Sequence, residues 1–341
     1  MNAHMNDPIE HGGALDRAIA RFGGSAEDWL DLSTGINPEH FPLPDFTPAI
    51  WNRLPDEGLL QRVLVSARRY YNVADDAPIV AAPGTQALIQ LIPTLVEPST
   101  VAILGPTYQE HAASFARAGW KVVECAALED IPHDARIVTI VNPNNPDGRI
   151  IARPDLLELA MTLGERGGFL VVDEAFADPH VEVSVATQAA TAPMIVLKSF
   201  GKFFGLAGVR LGFLLASSEL VAKVTQRLGP WAVSGPALAI AEYAFENDAE
   251  LQRFRSRIDW RRAELATVLK RCGLPEVGST ALFVLVAHPD ADAIYDALCE
   301  NHILVRKFAY APQWLRIGLA TDEAALARLE QILREILRLK D

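Results

Sequence analysis

Two short segments carry the residue types best able to do chemistry together. The first runs Lys198-Ser199-Phe200-Gly201-Lys202-Phe203-Phe204-Gly205-Leu206-Ala207-Gly208-Val209-Arg210, directly after an apolar stretch. Desolvation among aromatics lowers the pKa of a lysine and favours an imine-forming amine, which marks Lys202. Ser199 and Arg210 bracket it, and a hydroxyl with a planar guanidinium suits a phosphate dianion. A solvated lysine in a glycine-rich loop is the plainer alternative, and the apolar flanks argue against it. The second segment is Val171-Val172-Asp173-Glu174-Ala175-Phe176. Asp173 ends an apolar strand, so its carboxylate is poorly solvated and needs a partner. A protonated pyridine nitrogen would serve and would keep such a ring an electron sink; a helix cap or a structural ion pair would serve equally.

Two further segments are weaker by themselves. Ala82-Pro83-Gly84-Thr85-Gln86 leads into a helical pattern. Gly84 permits a tight turn, Thr85 can cap, and the free N–H groups of a helix start suit a phosphate. An ordinary capped helix explains the same residues. Asn142-Pro143-Asn144-Asn145-Pro146-Asp147-Gly148 is common turn chemistry, yet it follows a buried strand, where open α/β sheets bind ligands. There the Asn145 amide could donate to a ring oxygen.

Regular elements must hold these segments in place. Apolar, β-branched runs predict strands at 101–104, 121–125, 136–141, 169–172 and 194–197. Helical segments, for example 85–96 and 154–166, separate them. This alternation predicts a mostly parallel sheet with helices on both faces. Another strand is expected at 210–216 and one long helix over 235–271. Beyond it, strands at 281–287, 303–307 and 314–319 and helices at 290–300 and 322–338 describe a smaller α+β domain. The division read here is an N-terminal arm over 1–54 near the active site, a large domain over 55–230, and a connecting helix with the small domain over 231–341.

The 341 residues carry a formal charge of −12, which argues against nucleic acid as a partner. No apolar run reaches membrane-spanning length, and Met1 to Pro8 lacks the apolar core of a secretory signal. Cys125, Cys272 and Cys299 are far apart in sequence, and the eight histidines lack metal-ligand spacing. The expectation is a cytoplasmic enzyme with neither disulfide nor metal.

The order Gly84-Thr85-Gln86, Asn145-Pro146-Asp147-Gly148, Asp173-x-Ala-Phe176, Ser199-x-x-Lys202 and Arg210 resembles the fold-type-I pyridoxal-phosphate (PLP) enzymes of the class I/II aminotransferase group. Within that group the chain is similar to the histidinol-phosphate aminotransferase branch, and most of all to the threonine-phosphate decarboxylases of cobalamin biosynthesis. His11-Gly-Gly, Asp31-Leu-Ser-Thr-Gly-Ile-Asn-Pro38, Gly105-Pro-Thr-Tyr-Gln-Glu-His111 and Trp314-Leu-Arg-Ile-Gly318 carry the closer likeness. The resemblance spans about residues 10 to 338 and implies the aspartate-aminotransferase fold, PLP as cofactor and a homodimer.

By that resemblance Lys202 holds the cofactor and moves protons, Asp173 pairs with the pyridine N–H, and Tyr108 stacks on the ring. Asn145 meets the ring oxygen. Gly84, Thr85, Gln86, Ser199 and Arg210 complete the cofactor site, most of them around its phosphate. His11, Thr34, Gly35, Asn37, Arg306 and Arg316 are placed on the substrate side, with Arg316 matching the arginine that receives an anionic group and Arg306, near a strand end, as a second candidate anion ligand. Two positions depart from the pattern. Phe176 stands where many relatives have a tyrosine, and Leu54 stands where histidinol-phosphate aminotransferases carry a tyrosine that reaches the partner subunit. The implied reaction is decarboxylation of the small phosphorylated amino acid L-threonine O-3-phosphate to (R)-1-amino-2-propanol O-2-phosphate. Histidinol-phosphate transamination is the rival activity, and a non-catalytic regulatory protein of the same fold is a third reading, opposed by the intact Lys202 and Asp173.

Overall fold

The computed structural model of the chain describes residues 12–338. These form two compact units, one made of residues 40–145 and 149–254, the other of 12–39, 146–148 and 255–338.

The first unit is built on seven strands: Ile79–Ala82, Thr100–Leu104, Lys121–Cys125, Ala135–Val141, Phe169–Asp173, Met194–Ser199 and Gly212–Leu215. Across the sheet they lie in the order 79–82, 212–215, 194–199, 169–173, 135–141, 100–104, 121–125. The five strands from Met194–Ser199 to Lys121–Cys125 run parallel. Gly212–Leu215 is antiparallel to both of its neighbours. The central strands are buried along their whole length, which is why they read as unbroken apolar runs and not as alternating ones. Leu88, Ile103, Phe115, Val171, Ile195 and Leu214 belong to one core cluster on this sheet.

This topology brings the chemistry-bearing segments to one end of the sheet. Asp173 and Ser199 close two adjacent parallel strands, and Val141 pairs with Asp173, so the turn toward Asn145 starts beside them. Because Gly212–Leu215 is antiparallel, it begins where its neighbours finish: Gly212 lies opposite both Ser199 and Ala82. Gly84 and Arg210 therefore arrive at the same end, the place where open α/β sheets hold ligands.

The second unit holds a four-stranded antiparallel sheet, in the order Arg306–Phe308, Ala311–Gly318, Phe283–Ala287, Glu276–Thr280. It also holds a short parallel pair, Leu30–Asp31 with Ile303–Leu304.

Three expectations change. The helix expected over 235–271 is two, Gly235–Phe245 and Asp248–Arg271. The break lies at Glu246 and Asn247, where the Asn247 side-chain oxygen accepts from the backbone N–H of Glu250, as an N-cap does. The strand expected at 303–307 is also two, Ile303–Leu304 and Arg306–Phe308, which join different sheets on either side of Val305. The helix expected over 85–96 is α-helical only over Thr85–Leu91 and continues as a 3₁₀ turn, Ile92–Thr94. Pro93 lacks the N–H that an α-helix would use there.

Candidate active site

Gly84 sits at φ +84, and a Cβ there would lie 2.8 Å from Arg210 Nη2. A Cβ at Gly212 would lie 2.7 Å from the backbone nitrogen of Thr85. Only glycines let the guanidinium and the first turn of the 85–91 helix approach this closely. Arg210 is itself held in the left-handed region, at φ 53, with its Nη1 donating to the Ala207 carbonyl 3.2 Å away. The Ser199 hydroxyl does not cap the helix Phe200–Phe203 that follows it. These groups form a cradle of donors and positive charge, the chemistry a phosphate ester requires.

Asp173 is 3% exposed. Its Oδ1 accepts from the Ala175 N–H at 3.0 Å, and its Oδ2 lies 2.9 Å from Nε2 of the buried His111. An ionised carboxylate only accepts, so His111 carries the proton on Nε2 and fixes the plane of the carboxylate. The Tyr108 hydroxyl is pushed up to about 12, first by burial and then by Glu110 and Asp173, with Arg210 opposing. Tyr108 thus feels both Asp173 and Arg210. Its ring meets His111 edge-on, with centroids 6.0 Å apart.

The two lysines of the 198–202 segment separate clearly. Lys198 is buried and held by Glu174 at 2.5 Å and by the Ser184 hydroxyl at 3.1 Å. Glu174 accepts in addition from the Val185 N–H at 2.6 Å. An amine in that cage is a structural cation. Lys202 is only partly buried, one short turn beyond the sheet end, with Nζ 6.0 Å from the centre of the Phe176 ring.

In the second unit Arg306 and Arg316 are direct partners on antiparallel strands. Like charges placed opposite each other are destabilising. Arg316 is buried, donates to the Ser33 carbonyl at 2.8 Å, and lies over the Phe283 ring. Burial, and secondarily Arg306, lower its pKa to about 10. Thr34, Gly35 and Asn37 belong to the loop that follows Leu30–Asp31; Gly318 packs against the Thr34 carbonyl, and Asn37 is buried. His11 lies outside the described residues.

The structure thus gathers Gly84, Thr85, Gln86, Tyr108, Asp173, Ser199, Lys202 and Arg210 at one sheet end, with the Asn145 turn beginning there. It places Arg306 and Arg316 side by side in the other unit. The reading of the sequence missed a role for His111. His111 acts through its contact with Asp173, 62 residues away in the chain, and no local spacing signals such a contact.

The chain belongs to the aminotransferase class I and II family, whose pattern matches residues 56–333. The relatives it matches include the threonine-phosphate decarboxylase of Sinorhizobium sp., 47% identical over 335 residues that cover 96% of this chain and all of that protein. The threonine-phosphate decarboxylase of Pseudomonas aeruginosa is 40% identical over 95% of this chain and 97% of its own. In fold the chain is similar to the histidinol-phosphate aminotransferase of Sinorhizobium meliloti, solved in complex with pyridoxal-5'-phosphate. The TM-score is 0.82, with 21% identity over 99% of this chain and 97% of that one.

Proposed function

We propose that this protein is a PLP-dependent decarboxylase that converts L-threonine O-3-phosphate into CO₂ and (R)-1-amino-2-propanol O-2-phosphate, a step of cobalamin biosynthesis. The full-length identity to two threonine-phosphate decarboxylases supports the reaction. The observation that carries the substrate class is the opposed pair Arg306 and Arg316. Two guanidinium groups kept opposite each other at a cost in stability are matched by a dianion, and a phosphate ester is one.

Each residue then has a task. Gly84, Thr85, Ser199 and Arg210 bind the cofactor phosphate, and Gln86 orders the start of the helix beside it. Asp173, oriented by His111, presents a desolvated carboxylate to the ring nitrogen, and Asn145 turns its amide to the ring oxygen. Tyr108 would hold the ring from one side. Bound PLP supplies the electron sink that takes the pair left behind when the carboxylate departs. Lys202 carries the cofactor between turnovers and holds the proton that replaces CO₂ on the α-carbon. Arg306 and Arg316 take the substrate phosphate, and Thr34, Gly35, Asn37 and His11 complete the substrate side. With the arginines engaged by phosphate, no arginine of the pair holds the carboxylate, which is therefore the group free to leave. The outcome is set by positioning and needs no additional catalytic group.

The active form is a homodimer in the cytoplasm. Trp51, Leu54 and Trp231 are 66%, 65% and 61% exposed on the first unit, large apolar side chains of the kind a partner copy would cover. Cys125, Cys272 and Cys299 are all free thiols, which fits a reducing compartment.

Holoenzyme given L-threonine O-3-phosphate and no keto acid should release CO₂ and aminopropanol phosphate in equal amounts. Glutamate formed from histidinol phosphate and 2-oxoglutarate, with no CO₂ from the threonine ester, would replace this reading by an aminotransferase.

A further inference from the structure

A chain of hydrogen bonds leads from Tyr108 to the surface of the first unit. The Tyr108 hydroxyl donates to Gln86 Oε1 at 3.1 Å, and Gln86 Nε2 donates to Glu110 Oε2 at 3.0 Å. The same Glu110 oxygen accepts from Arg117 Nη2 at 3.2 Å and from Gln90 Nε2 at 3.4 Å. Gln90 Oε1 in turn accepts from Arg117 Nη2 at 3.2 Å and from the Ser114 hydroxyl at 3.4 Å. Gln86 and Gln90 are four residues apart on the helix Thr85–Leu91, and Glu110, Ser114 and Arg117 share one face of the helix Glu110–Arg117.

The direction of every bond in this chain follows from its far end. A carboxylate has no proton to give, and a guanidinium has no lone pair to offer. Glu110, held by Arg117, therefore draws the NH₂ of Gln86 toward itself. The carbonyl oxygen of Gln86 is then left facing Tyr108, and the phenol must donate. Burial with the neighbouring carboxylates keeps that phenol protonated.

Resting on the decarboxylase reading above, we propose that Glu110 is a positioning residue for the reaction: through Gln86 it fixes the direction of the hydrogen bond made by Tyr108, which sets the tilt of the Tyr108 ring and commits its proton away from the substrate. The protein thereby keeps the phenol out of proton transfer and leaves the return of a proton to the α-carbon to Lys202.

The test is a double-mutant cycle on PLP-loaded protein, read by visible circular dichroism per bound cofactor and by the separate kcat and KM for L-threonine O-3-phosphate. Glu110→Met frees the Gln86 amide to turn, and one lost buried hydrogen bond corresponds to a fall in kcat of about three- to tenfold, with KM little changed and the dichroic band reduced. Glu110→Gln keeps an oxygen for Arg117 and Gln86 and should restore both signals. In a Tyr108→Phe background, where no phenol remains to direct, Glu110→Met should add nothing. Gln86→Met breaks the chain from its other side and should reproduce the Glu110→Met change in the dichroic band. An effect of Glu110→Met that persists in the Tyr108→Phe background would assign Glu110 a purely structural part and overturn the proposal. Failure of Glu110→Gln to restore the signals would do the same, by showing that the charge matters and the bond direction does not. The dichroic cycle needs no substrate, so it stands or falls independently of the reaction assigned.

Discussion

Replacing Arg306 by glutamine should make the unliganded protein more stable and the enzyme worse at binding substrate. Arg306 and Arg316 are cross-strand partners, and such partners have Cα atoms about 5 Å apart. Two unit charges about 6 Å apart at an effective dielectric of about 20 repel by roughly 3 kcal/mol. Arg306 is partly exposed, so solvent screening reduces this to about 1 kcal/mol. Arg306→Gln removes the repulsion and should raise Tm by about 2–4 °C, the shift expected for about 1 kcal/mol in a chain of a few hundred residues. Once a phosphate dianion lies on the pair, the sign reverses. Losing one charge-assisted bond costs about 1.5–3 kcal/mol, a rise in KM for L-threonine O-3-phosphate of about 10- to 150-fold. This contact is made equally in the ground state and the transition state, so kcat should stay within a few-fold. Differential scanning fluorimetry with and without inorganic phosphate, beside steady-state kinetics, reads both signs. A variant with lower Tm and unchanged KM would refute the reasoning, because Arg306 would then be a structural cation.

Further outcomes follow from the same geometry. Lys202→Ala should abolish activity and the absorbance of covalently held PLP while the protein stays folded. Lys198→Met should instead lower stability by about 3–5 kcal/mol, because it leaves Glu174 buried without its cation; urea unfolding separates the two lysines. Gly84→Ala should weaken PLP binding about 5- to 150-fold in equilibrium dialysis, since it combines a positive φ with a Cβ 2.8 Å from Arg210 and costs about 1–3 kcal/mol. Burial, and secondarily Arg306, lower the Arg316 pKa to about 10 in the unliganded protein. Anion binding requires the charged form, so phosphate affinity by calorimetry should hold below that pH and fall as pH rises through it.

What the sequence disclosed depended on how local each cause was. Thr100–Leu104, Lys121–Cys125, Ala135–Val141, Phe169–Asp173 and Met194–Ser199 were legible to within two residues at either end, because burial leaves a continuous apolar, β-branched run. Ile79–Ala82 carries no such signal. It has four residues, two of them alanine, and its strand character comes from antiparallel pairing with Gly212–Leu215. The break at Asn247 hid inside good helix-forming residues; its signature, Asn247 before Asp248 and Glu250, is an N-cap followed by an acidic first turn. Chemistry-bearing types at strand ends made Lys202, Asp173 and Arg210 visible. His111 and Glu110 stand in the sequence only as members of the segment Gly105-Pro-Thr-Tyr-Gln-Glu-His111. Their parts rest on contacts across 62 residues to Asp173 and 24 residues to Gln86, and no local spacing encodes such contacts.

The most direct test of the account is turnover of L-threonine O-3-phosphate in D₂O by PLP-loaded enzyme without any keto acid. One equivalent of CO₂ is expected, with an aminopropanol phosphate carrying a single deuterium on the carbon that lost the carboxylate. Threonine phosphate recovered with deuterium at its α-carbon, or a keto acid product, without release of CO₂, would contradict it.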